Sequence, residues 1–159
     1  MELLMTRHTV DCGHLYGTIT HKSKWVCDTD ELILFEVVTQ WEDIKCHYLE
    51  DGVYTLTPLV KLDENKELIE IRDCLNRQRS AFVKFNRFKY KGIEITDSNG
   101  RIEIGKLTQF NNISENARVF PSIYAIIRQK YAEREDVVLR IQTKRITQSE
   151  INNYIKKKQ

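Results

Sequence analysis

The chain has 159 residues, 41% of them hydrophobic and 30% charged, with four cysteines and a formal net charge of +2. This composition excludes a disordered or low-complexity protein. The longest apolar run near the start, Leu32-Ile33-Leu34-Phe35, falls far short of the roughly 18 residues that cross a bilayer.

A chain of this length reads as one domain, residues 1–159, able to bury a core without staples. Met1 to Arg7 is too short and too polar for a signal peptide, so Cys12, Cys27, Cys46 and Cys74 read as reduced thiols and the expected compartment is cytoplasmic. The net charge conceals a split. Residues 1–76 hold 7 Lys and Arg against 15 Asp and Glu, whereas residues 77–159 hold 18 against 8. Such asymmetry points to an acidic partner for the basic half, or to two halves that neutralise each other across one surface.

In chain order, Leu15 to Thr20 and Lys24 to Cys27 read as strand pieces, and Cys27-Asp28-Thr29-Asp30 breaks the pattern. Glu31 to Thr39, short and rich in β-branched residues, reads as one buried strand, and Trp41 to Lys45 as a turn or a single helical turn. Glu50-Asp51-Gly52 predicts a hairpin joining Cys46–Leu49 to Val53–Leu56, with Pro58 at an edge or bulge. Leu59–Leu62 and Leu68–Ile71 bracket Asp63-Glu64-Asn65-Lys66 either as a second hairpin, the preferred reading, with Cys74 to Gln78 as its exit, or as a helix capped by Asp63 with Leu68, Ile71 and Leu75 on one face.

Arg77 to Lys91 then gathers six cations and four aromatics with no acid. Its alternation changes face after Phe85, which predicts a bulge near Asn86-Arg87. Ile93 and Ile95 are expected to pair with Ile102 and Ile104 across a tight Asn99-Gly100 turn. Pro121, followed by Ile123, Ile126, Ile127 and Tyr131 at helical spacing, predicts a helix from about residue 121 to about 133. Val137 to Thr143 reads as a strand, and Thr147-Gln148-Ser149-Glu150 as a capping box opening a last helix. The expected fold class is therefore α+β: a mainly antiparallel sheet or open barrel to about residue 110, followed by helix, strand and helix.

Three constellations could carry chemistry. Arg77, Arg79, Lys84, Arg87, Lys89 and Lys91 offer charge for phosphate, and Phe88 and Tyr90 offer rings for stacked bases. Asp28, Asp30 and Glu36 form a carboxylate set of the kind that holds Mg²⁺ in nucleases, without the lysine that commonly follows two positions later. Cys12, His14, His21 and Cys27 could ligate zinc, but no paired short spacing supports it. The reading that results is a non-enzymatic binding module without a cofactor, whose basic half meets nucleic acid or an acidic protein surface. A metal-dependent nuclease and a self-associating structural or inhibitory homo-oligomer are the alternatives.

Overall fold

The computed structural model describes residues 1–11, 13–37, 44–61, 66–84, 87–90, 93–96, 101–109 and 112–144. Three strands open it as a meander: β1 (Glu2–Asp11), β2 (His14–His21) and β3 (Lys24–Leu32). Leu3, Met5 and Ile19 point to one face and are at most 3% exposed, the period-2 pattern of strands with one side in a core. Lys22 and Ser23, both at positive φ (49° and 65°), turn β2 into β3 with the backbone twist that two-residue hairpins require.

A ribbon of β4 (Leu34–Val37) and β5 (Ile44–His47) follows, and then β6 (Gly52–Lys61), β7 (Lys66–Arg72) and β8 (Gln78–Val83) form a second meander. A second ribbon, β9 (Arg87–Tyr90) with β10 (Ile93–Thr96), precedes β11 (Ile102–Leu107) and the two-residue β12 (Ile113–Ser114). The helix α1 (Asn116–Ala132) leads into β13 (Val138–Thr143).

Eight of these strands close into a barrel in the order β11-β3-β2-β1-β13-β6-β7-β8, with β8 returning to β11. The two closing contacts of the late strands are parallel: β13 lies along β1 from Glu2↔Val138 to Arg7↔Thr143, and β11 meets β8 at Ile102↔Phe82. Closure removes the free edges that an open sheet would expose. The helix lays Val119, Phe120, Ile123, Tyr124 and Ile127 against interior residues such as Leu56, Ile102, Ile104 and Leu139. It spans the end where β11 leaves and β13 enters. Gly105 lets β12, just ahead of the helix, lie close on β11: a Cβ there would strike Ile113 and the Ser114 carbonyl.

The closed barrel overturns the α+β expectation. No helix other than α1 occurs among the described residues, and the predicted last helix, residues 147 onward, lies outside them. The expected hairpin of Ile93 and Ile95 with Ile102 and Ile104 does not form. Ile93 pairs with Tyr90, and Ile102 and Ile104 pair with Glu31 and Thr29. Alternation reports that one face of a strand is buried, not which strand lies beside it.

The Glu50-Asp51-Gly52 hairpin fails likewise, since β5 joins β4 and β6 joins β13 and β7. Asp28 to Asp30 do not interrupt a strand but sit inside β3, and the single strand expected over residues 31–39 is divided at Ile33. Ile44 and Lys45 begin β5 rather than ending a turn.

The helix starts at Asn116, five residues before Pro121, which falls in its interior. Burial of Val119 and Phe120 in the core outweighs the hydrogen bond that proline cannot make. Asn116 fixes the start by donating from Nδ2 to the Ile104 carbonyl (3.0 Å) and to Glu103 Oε1 (2.8 Å).

The hairpin of β6 and β7 forms as expected, Lys61 opposite Lys66. Pro58 is tolerated there because Leu56 N–H is the last donor toward the β13 side, taken by the Val137 carbonyl, and Pro58 faces the same side beyond it. The bulge predicted near Asn86-Arg87 involves residue 86, outside the described residues.

Because Lys22 and Ser23 adopt φ values that glycine and asparagine favour, Lys22→Asn with Ser23→Gly should raise stability by roughly 1 kcal/mol, read as a higher urea midpoint at unchanged m. An unchanged or lower midpoint would contradict the turn assignment.

Candidate functional site

Arg7 follows Leu3 and Met5 on the inward face of β1, and its side chain is wholly buried. Burial of a guanidinium demands acceptors on every side. Glu31, on the inward face of β3, supplies a fork: Nε donates to Oε1 at 2.9 Å and Nη2 to Oε2 at 3.1 Å. Nη1 donates to Asp51 Oδ1 at 3.0 Å, Nη2 also donates to the Leu49 carbonyl, and the Tyr48 ring lies 5.3 Å from the guanidinium carbon. Glu31 Oε2 in turn accepts the Leu49 N–H (2.9 Å), and Asp51 accepts Thr143 N–H and Oγ1–H. Burial pushes the Glu31 carboxyl up, while the Arg7 charge and the Leu49 N–H oppose that push. This network stops the barrel end opposite the helix, with segment 48–51 as the plug.

The carboxylates of the nuclease reading lie on the other face of β3. Asp28 Oδ1 accepts Thr18 Oγ1–H and Trp25 Nε1–H, both at 3.0 Å, and Oδ2 accepts the Leu107 N–H at 2.7 Å. Asp30 Oδ1 meets His14 Nδ1 at 2.7 Å. Three protein donors occupy Asp28, so it serves to staple β2, β3 and the end of β11 together. Glu36 lies on β4, in the neighbouring ribbon.

The zinc candidates are dispersed. His14 and His21 stand at opposite ends of β2, on the order of 20 Å apart along an extended strand. Cys27 is buried in the core, where burial and then the Asp28 charge push its thiol up, and Cys12 lies outside the described residues. No group of three His, Cys, Asp or Glu side chains arranged to hold a metal occurs among the described residues.

The basic stretch begins in the turn between β7 and β8. Asp73 organises that turn. Its Oδ1 accepts the N–H groups of Leu75 (2.9 Å) and Arg77 (3.0 Å), and Oδ2 accepts Arg77 Nε–H at 2.9 Å, with Arg79 Nη1 at 4.0 Å. The Arg77 N–H, the Arg77 side chain and the Leu75 N–H hold the Asp73 carboxyl below the usual carboxylate range. Arg77 and Arg79 remain 61% and 43% exposed.

Lys84 follows β8 and is half-buried with a partner of its own. Arg87, Phe88, Lys89 and Tyr90 make up β9, so they belong to the separate ribbon and do not extend β8; Lys91 lies outside the described residues. Further along, cations of the second half answer local or distant acids: Arg118 with Glu115, Lys130 with Glu135, and Arg140 with Glu2.

No family model, no curated protein and no solved structure matches the chain. No helix among the described residues is long and apolar enough to cross a membrane.

Removing one partner of the buried pair leaves an unanswered charge, so Arg7→Met should cost about 3–5 kcal/mol in urea unfolding. Arg7→Met combined with Glu31→Leu should cost less than either change alone. Asp73 gives a pH effect of known sign. A depressed folded pKa means that the order it provides is present above the ordinary carboxylate range and lost as pH falls through the depressed midpoint. The Leu75 and Arg77 amide resonances should therefore shift together in acid, below the usual carboxylate range, and that transition should vanish in Asp73→Asn.

Proposed function

We propose that the chain is a non-enzymatic binding module whose partner is single-stranded nucleic acid, met by the basic stretch from Arg77 onward. The observation that carries this reading is the turn at Asp73. Two exposed arginines share one carboxylate there, leaving surplus positive charge where the stretch begins. The rest of the stretch supports it by composition: Lys84, then Arg87, Phe88, Lys89 and Tyr90 on a two-stranded ribbon, then Lys91. Side chains fill the barrel interior and both its ends are stopped, which favours a rigid scaffold that binds on its outer surface over a carrier of small ligands.

Anisotropy titrations with single- and double-stranded DNA and RNA, run over a series of salt concentrations, test this reading. Affinity for single strands should fall linearly on a log–log plot, because each neutralised phosphate releases counterions. Arg77→Ala with Arg79→Ala should flatten the slope by about 1.4, at about 0.7 per contact. Affinity that does not change with salt would overturn the proposal. Cleavage on addition of Mg²⁺, spared by chelator, would overturn it in favour of Asp28, Asp30 and Glu36.

A further inference from the structure

The turn at Asp73 presents more than charge. Its backbone is fixed by Asp73 N–H to the Arg77 carbonyl (3.0 Å), Asn76 N–H to the Asp73 carbonyl (2.9 Å), and Asn76 at φ 60°. This ordered loop holds out Leu75, 68% exposed. Beside it lies a groove of about 400 Å³ lined by Arg72, Asn76, Tyr131, Glu135, Asp136 and Val137, among others. Tyr131 is 59% exposed, and Leu75 and Tyr131 are the two most exposed large hydrophobic side chains among the described residues. A single exposed apolar side chain is ordinary, but a rigid apolar knob next to a groove with an aromatic wall is not.

We infer that two copies of this chain associate through this face, with Leu75 of each seated in the groove of the other. Charge complementarity selects a second copy as the occupant. Arg77 stands two residues beyond the knob, and Asp136 on the groove wall forms no ion pair with any described residue. In a two-fold arrangement the Arg77 of one copy reaches Asp136 of the other, and the reverse contact forms at the same time. Knob and groove adjoin at Asn76, so one rotation axis fills both and closes the pair, whereas a knob distant from its groove would generate an open filament. Order already present in the turn lowers the cost of association. The inference does not rest on the nucleic-acid reading; the two share Arg77 alone, since Arg79, Lys84 and the β9 ribbon take no part.

Light scattering and sedimentation of the full chain without nucleic acid, over a wide concentration range, read the assembly directly. A concentration-dependent dimer is expected. Leu75→Asp and Tyr131→Ala, both at exposed positions and so expected to keep the parent circular dichroism, should each weaken it by more than about tenfold. Arg77→Glu and Asp136→Arg should each weaken the dimer, and the two together should restore it. A chain that stays monomeric throughout overturns the inference. So does a dimer indifferent to Leu75→Asp, or growth into open polymers. Strand affinity per copy in Tyr131→Ala, which leaves the charge of the turn unchanged, tests the basic stretch independently of this face.

Discussion

Arg7 enters the barrel on the same side of β1 as Leu3 and Met5, and water cannot follow its guanidinium there. The surrounding architecture answers that one charge. Glu31 comes from β3, Asp51 and the Leu49 carbonyl from the segment before β6, and Asp51 is braced by Thr143 at the end of β13. Strands distant in sequence are thereby held around a common point. The excursion that contains β4 and β5 leaves and rejoins the barrel there as well, with Ile33 N–H on the Gly13 carbonyl and Leu49 N–H on Glu31. An apolar plug could fill the same volume, but it would not fix which strands meet at this end.

Interleaving of the strands also changes what the charge distribution means. β13, from the basic half of the sequence, lies between β1 and β6 of the acidic half, and β11 lies between β3 and β8. Glu2 and Arg140, nearly the whole chain apart, form an ion pair at 3.1 Å, and the N-terminal amine meets Glu135 at 3.2 Å. Part of the sequence asymmetry is thus cancelled by topology. At the turn between β7 and β8 the balance stays positive, because Arg77 and Arg79 face one acid, Asp73.

Strand content was largely legible in the sequence, because half-buried strands impose period-2 patterns wherever they lie in a fold. Partnership was not. Ile102 and Ile104 follow a favourable turn sequence, yet their neighbours are Glu31 and Thr29, more than 70 residues away. The hairpin of β6 and β7 was readable because its partners are adjacent in sequence and a short polar turn suffices to join them. The helix start was misplaced because a rule about proline competed with burial of Val119 and Phe120, which sequence alone does not reveal. The Arg7 network had one signal in the sequence: a cation at the parity of Leu3 and Met5, where the alternation calls for an apolar residue. Its carboxylate partners, Glu31 and Asp51, could not be read, because they come from two separate places far along the chain. Of the candidate nucleic-acid residues, Arg77 in the turn and Arg79 at the start of β8 share Asp73, while four others belong to a ribbon of their own.

The parallel contact between β1 and β13 sets the order in which this molecule can be finished. Glu2 is made well over a hundred residues before its parallel neighbour Val138. Until then one side of β1 has no backbone partner, and the meander behind it must wait as an unsealed sheet. Contacts this distant in sequence slow folding through the entropy of closing large loops. The nascent chain consequently passes through a long interval in which that edge stays open to strand addition, and arrival of β13 ends the exposure in a single step.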